Sequence, residues 1–394
     1  MSGPPSLLTV LLLLLIGVLV ARLSAGRLRS WAVPAIVLEL LVGFLLGNTV
    51  LPFERVAPLS GLTELGVLTL FFQVGLEVRG DLLTSRRHAI LRTVAISFLA
   101  PLLAFWPLRL GFGLDTPATL LCLAVLSATG TGVTLRVLAQ RQALQTPSGR
   151  MLVGVSVLDD LPAIALLSLS VAVGGWVAGS SPFAALAALP LGVLLALLSY
   201  GAVELWRRRR PERPRDPLSI LLLLIASAWV GEMCGLTSLL GALWGGVLLA
   251  RLEPAGPEVR SVLAVLSEVF LPLYFLSVGM RVQAASLLRP EAWSLALALL
   301  ALAVVSKLAC GLGVSRRDRA AGIDRWIVVF GLMPRGLPGL VFATTALSAG
   351  VIGSSQFSAL VLMVASTTVI GLLLLERRLQ RLEGDQPAPA PPPM

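Results

Sequence analysis

The chain has 394 residues, is 56% hydrophobic with a mean hydropathy of +0.90, and carries a formal net charge of +10. A soluble protein of this length needs far more polar surface, so the composition is that of a polytopic membrane protein. The apolar runs are continuous and helix-length, which excludes the short alternating strands of a transmembrane barrel.

Taken in chain order, the apolar runs predict about thirteen spans on the criterion of roughly 20 residues each. They lie near 6–22, 31–47, 60–78, 89–108, 117–136, 148–174, 182–204, 217–235, 238–250, 262–280, 292–313, 324–348 and 352–374. No basic region precedes the first run, Leu7–Val20, which therefore reads as a span and not as a cleaved signal. The ninth is short. Cys122, Cys234 and Cys310 all fall in apolar runs without metal or redox spacing and read as small core residues.

The basic residues sort by loop. Odd-numbered loops and the C-terminal end hold most arginines, from Arg22, Arg27 and Arg29 through Arg207–Arg210 to Arg377, Arg378 and Arg381. The even loops hold only Arg55, Arg109, Arg281 and Arg289. This bias predicts odd loops in the cytoplasm, the N-terminus outside and the C-terminus inside. The run "WRRRRPERPRDP" (Trp206–Pro217) is then a cytoplasmic connector facing anionic lipid headgroups, and the high pI needs no nucleic-acid partner. Residues 376–394, which include "PAPAPPP", read as a disordered tail.

An internal repeat underlies this order. "LSGLTELGVLTLFFQVGLEV" (Leu59–Val78) aligns without gaps on "LAVLSEVFLPLYFLSVGMRV" (Leu263–Val282), matching Glu64 with Glu268, Phe71 with Phe275, Val74 with Val278 and Gly75 with Gly279. The same register sets Gly132 over Gly336. It pairs span 3 with span 10 and span 5 with span 12. An odd shift of this kind inverts the second copy across the membrane, as in secondary transporters. The division is a first repeat at 1–175, a linker at 176–216 and a second repeat at 217–375.

Both repeats break a helix at matching places. "SATGTGVT" (Ser127–Thr134) contains Thr129, Gly130, Thr131 and Gly132, and "LMPRGLPGL" (Leu332–Leu340) contains Pro334, Arg335, Gly336, Pro338 and Gly339. Glycine favours non-helical backbone and proline removes a donor. Broken backbone at mid-membrane is tolerated where protein or a wet cavity satisfies it, and there it offers carbonyls and helix ends to an ion.

Span 6 carries two adjacent acids in "SVLDDLPAIAL". On a helix Asp159 and Asp160 point about 100° apart, so one can face a cavity while the other faces a neighbouring helix. Lys307 in span 11 is the only lysine beside thirty arginines. Lysine can lose its proton when desolvated and arginine effectively cannot, so a lysine kept inside a span points to an Asp159–Lys307 pair that a cation can break. A permanent brace between two helices is the competing reading. Glu39 and Arg335 are further charges within spans, with Glu39 a candidate partner for Arg335. His88 lies among Arg86, Arg87 and Arg92, where a pH-sensing role is the minor reading.

Six segments, "FFQVGLEVRGDLL", "SATGTGVTLRVL", "GVSVLDDLPAIALL", "YFLSVGMRVQAASLL", "VVSKLACGLG" and "MPRGLPGLVFA", resemble the cation/proton antiporter superfamily, specifically bacterial sodium/proton antiporters of the Nap and Kef type. The resemblance implies an all-α fold with two crossed discontinuous helices, in which a core domain of spans 3–6 and 10–13 moves against a dimerising side of spans 1, 2 and 7–9. It implies Asp160 as the binding site for Na+ and protons, Asp159 with Lys307 as the switchable pair, and Thr129 as a supporting residue at the first break. It further implies a homodimer in the bacterial inner membrane, an electrogenic exchange of Na+ or Li+ for H+, and no cofactor. Relatives carry Pro-Arg-Gly-Glu at the second break, whereas Leu337 stands here in place of the glutamate.

Kef-type K+/H+ exchange and sodium-coupled uptake of an organic solute are the alternatives. An intramembrane aspartyl protease needs its two acids on different helices, so no enzyme is expected.

Overall fold

The computed structural model describes residues 7–27, 34–77, 87–177, 198–201, 205, 217–233, 237–252 and 257–384. Among them every regular element is a helix. The first repeat holds α1 (Leu7–Arg27), α2 (Ala35–Thr49), α3 (Ser60–Glu77), α4 (Arg87–Leu102), α5 (Thr116–Ser127), α6 (Thr131–Gln140) and α7 (Pro147–Val177). The second holds α8 (Pro217–Met233), α9 (Ser238–Leu252), α10 (Pro257–Arg281), α11 (Pro290–Ala309), α12 (Arg325–Leu332), α13 (Gly336–Ser348) and α14 (Ser354–Gly384). Among the described residues, eight helical stretches are long and apolar enough to cross a membrane, and four shorter apolar helices accompany them. The expected span at 182–204 lies almost wholly outside the described residues, as do the run from Trp206 and Cys234.

Tight helix crossings reveal the repeat. A Cβ on Gly75 (α3) would fall on the carbonyl of Leu243, and one on Gly246 (α9) on the carbonyl of Phe72. A Cβ on Gly279 (α10) would fall on the carbonyl of Leu40, and one on Gly43 (α2) on the carbonyl of Leu276. The α3–α9 contact thus recurs as α10–α2, with each partner replaced by its repeat counterpart. Small residues let membrane helices approach to backbone contact, where dispersion and not the hydrophobic effect supplies the attraction.

These crossings also decide how the helices group. α3 packs most extensively on α9 and α10, and α10 on α2 and α3, while α8 lies on α9 and α1 on α2. α7 packs on α5 and α4, and α11 and α14 pack on one another. The two helices that the sequence division set at the edge of the core, α3 and α10, therefore have their main partners among α1, α2, α8 and α9.

One end of the bundle gathers charge. Arg92 meets Asp318 at 2.7 Å, Arg141 meets Glu376 at 2.9 Å and Arg378 meets Asp324 at 2.6 Å. All six residues come from loops or helix ends that the arginine bias places on one side. Residues 376–384, expected as tail, are helical: Arg378 is held by Asp324, and Leu375 and Leu379 are buried.

Two predictions follow from packing and charge. Any side chain at Gly246 must displace the backbone of Phe72. Gly246→Val is therefore expected to lower the thermal midpoint and the monodisperse yield in detergent, with Gly43→Val doing the same in the other repeat.

At Asp318, partial burial alone would raise the carboxyl, but hydrogen bonds from the Ser315 hydroxyl and amide and from Arg92 hold it below the usual carboxylate range. A depressed folded-state pKa contributes stability above the ordinary value of about 4 and loses it as the pH falls through the depressed one. Asp318→Asn should lower the thermal midpoint at neutral pH, and paired melts should show that difference closing in acid.

Candidate functional site

The site grows from the two breaks. α5 starts on an Asp115 cap that accepts the Ala118 amide at 2.9 Å, and α12 on an Asp324 cap that accepts the Trp326 and Ile327 amides at 2.8 and 3.0 Å. The helices run inward and stop at Ser127 and Leu332. Gly130 follows the first stop. Pro334, with no amide to give, follows the second. The chains cross there, with the Gly130 amide donating to Pro334 O at 2.6 Å. A methyl on Gly130 would come within 2.9 Å of Gly336 N. Gly336 itself has φ of 45°, the left-handed region that glycine adopts without strain. Pro338 lies in the first turn of α13, where its missing amide breaks no intrahelical bond.

A helix that stops inside a membrane leaves its last carbonyls bare and its C-terminal end partly negative. Two cations cover that end of α5. Lys307 Nζ donates to Ser127 O at 2.9 Å, and Arg335 donates to Ala128 O at 3.1 Å. At the opposite end of the break, the N-terminus of α6 meets an anion, with the Thr129 amide directed at Asp160 Oδ1 at 3.4 Å.

Lys307 is fully buried, with Asp159 Oδ2 at 2.8 Å, Ser97 Oγ at 2.5 Å and Thr129 Oγ1 at 3.0 Å around its ammonium. Asp159 has no exposed surface either. Its Oδ2 accepts from Lys307, from Ser97 at 2.8 Å and from Thr129 at 2.6 Å, while Oδ1 has no partner. Thr129 therefore touches both aspartates and the lysine.

Asp160 points elsewhere. It lines a cavity of about 1180 Å³ whose walls include Glu39, Phe71, Gln73, Gly130, Phe275, Leu337 and Pro338, and which runs toward Arg22, Arg141 and Glu376. Ser156, one helical turn before Asp160 and hence on the same face of α7, has a buried hydroxyl without a partner. Asp159 Oδ1 is likewise buried without a partner, so α7 carries two unengaged oxygens within one helical turn of Asp160. Oxygens that are buried and unpaired are costly, and they suit a small hard cation that has shed part of its water.

Glu39 is buried on the cavity wall, but it does not answer Arg335. The guanidinium spends its donors on Ala128 O, on Ala303 O at 3.0 Å and on Ser306 Oγ at 3.4 Å, and its Nε is unpaired. With Leu337 in place of an acid, Arg335 ties the first break to the lysine helix through backbone carbonyls. Thr131 and Gly132 open α6 just past the crossing. Cys122 and Cys310 are buried and free, and His88 is exposed.

Ser97, Ser127, Ser156 and Ser306 were not singled out from the sequence. Serines are frequent in membrane helices, and nothing in their spacing marks these four.

Comparison with known proteins follows this geometry. The Na(+)/H(+)-K(+) antiporter GerN of Bacillus cereus is 26% identical over 345 residues, covering 86% of this chain and 88% of that protein. Cation/H(+) antiporter 18 of Arabidopsis thaliana is 26% identical over 91% of this chain, which spans about half (48%) of that longer protein. The structure of the sodium proton antiporter MjNhaP1 from Methanocaldococcus jannaschii superposes with a TM-score of 0.66 at 17% identity, over 94% of this chain and 97% of the other, which establishes the shared fold. The family model described as sodium/hydrogen exchanger, transmembrane, matches residues 10–376. Since that match runs from α1 into α14 and takes in both breaks, the adjacent aspartates and the lysine, the chain belongs to the sodium/hydrogen exchanger family of membrane proteins.

Proposed function

We propose that this protein exchanges Na+ or Li+ for H+ across the bacterial inner membrane by alternating access, with the cation and protons competing for Asp160. The observation that carries this reading is the split between neighbours: Asp160 lies on a cavity wall while Asp159 is sealed against Lys307. A cation entering the cavity meets the Asp160 carboxylate first. The unengaged Asp159 Oδ1 and Ser156 Oγ then supply oxygens to replace its water.

Drawing Asp159 toward the cation weakens its hold on Lys307. A lone mid-membrane ammonium costs about 3 kcal/mol on insertion scales, which favours release of its proton. Lysine can make that release and arginine effectively cannot. Carrying this proton in addition to the one displaced from Asp160 makes the exchange electrogenic.

The moving body in this reading is α4–α7 with α11–α14, and the static body is α1–α3 with α8–α10, which we assign to the homodimer contact. The helix grouping supports this boundary, which lies one helix further along each repeat than the sequence division placed it. The arginine-rich end is assigned to the cytoplasm, so the open cavity faces inward. The printed name of GerN includes K+, which keeps K+/H+ exchange as the second reading. Cavity size and ligand number decide between the ions.

In proteoliposomes, Asp160→Asn is expected to reduce cation-dependent proton movement to the level of empty liposomes; full activity in that variant removes the model. Lys307→Gln is expected to retain exchange while moving less charge per cycle, read as a diminished response to membrane potential. Unchanged charge movement with lowered thermal stability would make the lysine a brace. Dye-reported proton release with Na+, Li+ and K+ in turn identifies the substrate: release with Na+ and Li+ is expected, and release with K+ alone favours the second reading.

A further inference from the structure

The cavity opens toward the arginine-rich end and reaches inward as far as Phe275 of α10 and the first turn of α13. The cavity takes Ala35 to Glu39 from α2, Leu70 to Val74 from α3, Ala264 to Phe275 from α10 and only Leu337 and Pro338 from α13. From the depth of that floor outward, α10 and α13 are bridged across the interface between the two bodies. Tyr274 of α10 donates to Thr344 Oγ1 of α13 at 3.0 Å, with both residues buried. One turn beyond Val278, Arg281 donates to Ser348 Oγ at the end of α13 at 3.0 Å, and its guanidinium lies 4.2 Å from the ring centroid of Phe53. A third contact joins Ser168 of α7 to Thr237, just before α9, at 3.5 Å. Val278, between the first two contacts, has no exposed surface.

We infer that Tyr274 and Arg281, acting on Thr344 and Ser348, form the latch that holds the far side of the exchanger shut. They are positioning residues for exchange: they touch no ion, and they set how often Asp160 is presented to the far side. The inference rests on the alternating-access reading above. Three features support it beyond the distances. Each bond joins a helix of the static body to one of the moving body. Tyr274 and Thr344 are side chains whose polar atoms meet in an otherwise apolar layer, where replacement by carbon leaves the packing in place. Lastly, the Thr344 hydroxyl donates its own hydrogen bond to Leu340 O at 2.7 Å, so its oxygen is oriented to accept from Tyr274.

The test uses the full chain with its three cysteines replaced and one reporter cysteine added, in right-side-out and inverted vesicles. Val278→Cys reports the far side and Leu271→Cys, on the cavity wall, reports the near side, each by its rate of labelling with a membrane-impermeant maleimide. Losing two hydrogen bonds of ordinary net strength shifts a two-state balance roughly thirtyfold. Tyr274→Phe with Arg281→Gln is therefore expected to speed labelling at position 278 by about that factor and to slow it at position 271. Thr344→Val, which removes the same bond from the other partner, should move both rates in the same directions by a smaller factor. Unchanged rates, or faster labelling at both positions, overturn the latch, since the second pattern is that of a loosened fold. Sodium-driven proton movement of the unmodified protein in the same vesicles reports separately on the antiport reading.

Discussion

A lysine and an aspartate with no exposed surface, joined at 2.8 Å in the middle of the bundle, impose the constraint that the rest of the structure meets. Removing one partner of such a pair typically costs 3–5 kcal/mol, because the other charge is left buried and uncompensated. The surroundings are arranged accordingly. Ser97 from α4, Thr129 from the first break and the bare carbonyl of Ser127 complete the ammonium's shell. Groups from α4, from the first break and from α7 thus converge on one nitrogen, which is why the pair cannot be carried by α7 and α11 alone.

The crossing has its own economy. The end of α5 and the start of α6 place partial charges of opposite sign next to each other, and side chains meet each: Lys307 and Arg335 at the negative end of α5, Asp160 at the positive start of α6. Glycines at 130 and 336 allow the strands to touch, and the carbonyl of Pro334 takes the amide that the interruption frees. Arg335, beside Leu337, donates to backbone oxygens of the first break and of α11 and forms part of the scaffold.

Much of this was legible in the residues. Rarity marked Lys307, adjacency in an apolar run marked the aspartates, and glycine and proline at matching places marked the breaks. The register that matched Gly75 with Gly279 marked the repeat, and both glycines sit at equivalent close crossings. What escaped notice had no such mark. Ser97 and Ser156 differ in no local respect from serines that merely bond their own helix. Pairing Glu39 with Arg335 failed because charge complementarity in a sequence carries no distance, and backbone carbonyls, invisible as residue types, satisfied the guanidinium. The grouping of α3 and α10 depended on which helix each glycine met, and composition does not encode that. At the C-terminal end, low hydropathy past residue 375 suggested an unstructured segment, yet the Arg378–Asp324 contact and a buried Leu379 carry the helix further.

The duplicated glycine crossings carry a consequence for energetics. A frame built from two equivalent copies has no intrinsic preference for either side of the membrane, so any bias at rest must reside in side chains that the duplication did not preserve. Tyr274 is such a departure: its counterpart in the register is Leu70, which cannot donate a proton and lies on the wall of the open cavity. In the latch inferred above, the Tyr274 hydroxyl and the Arg281 guanidinium, whose counterparts in the register are Leu70 and Glu77, are the departures that set the balance between the two faces.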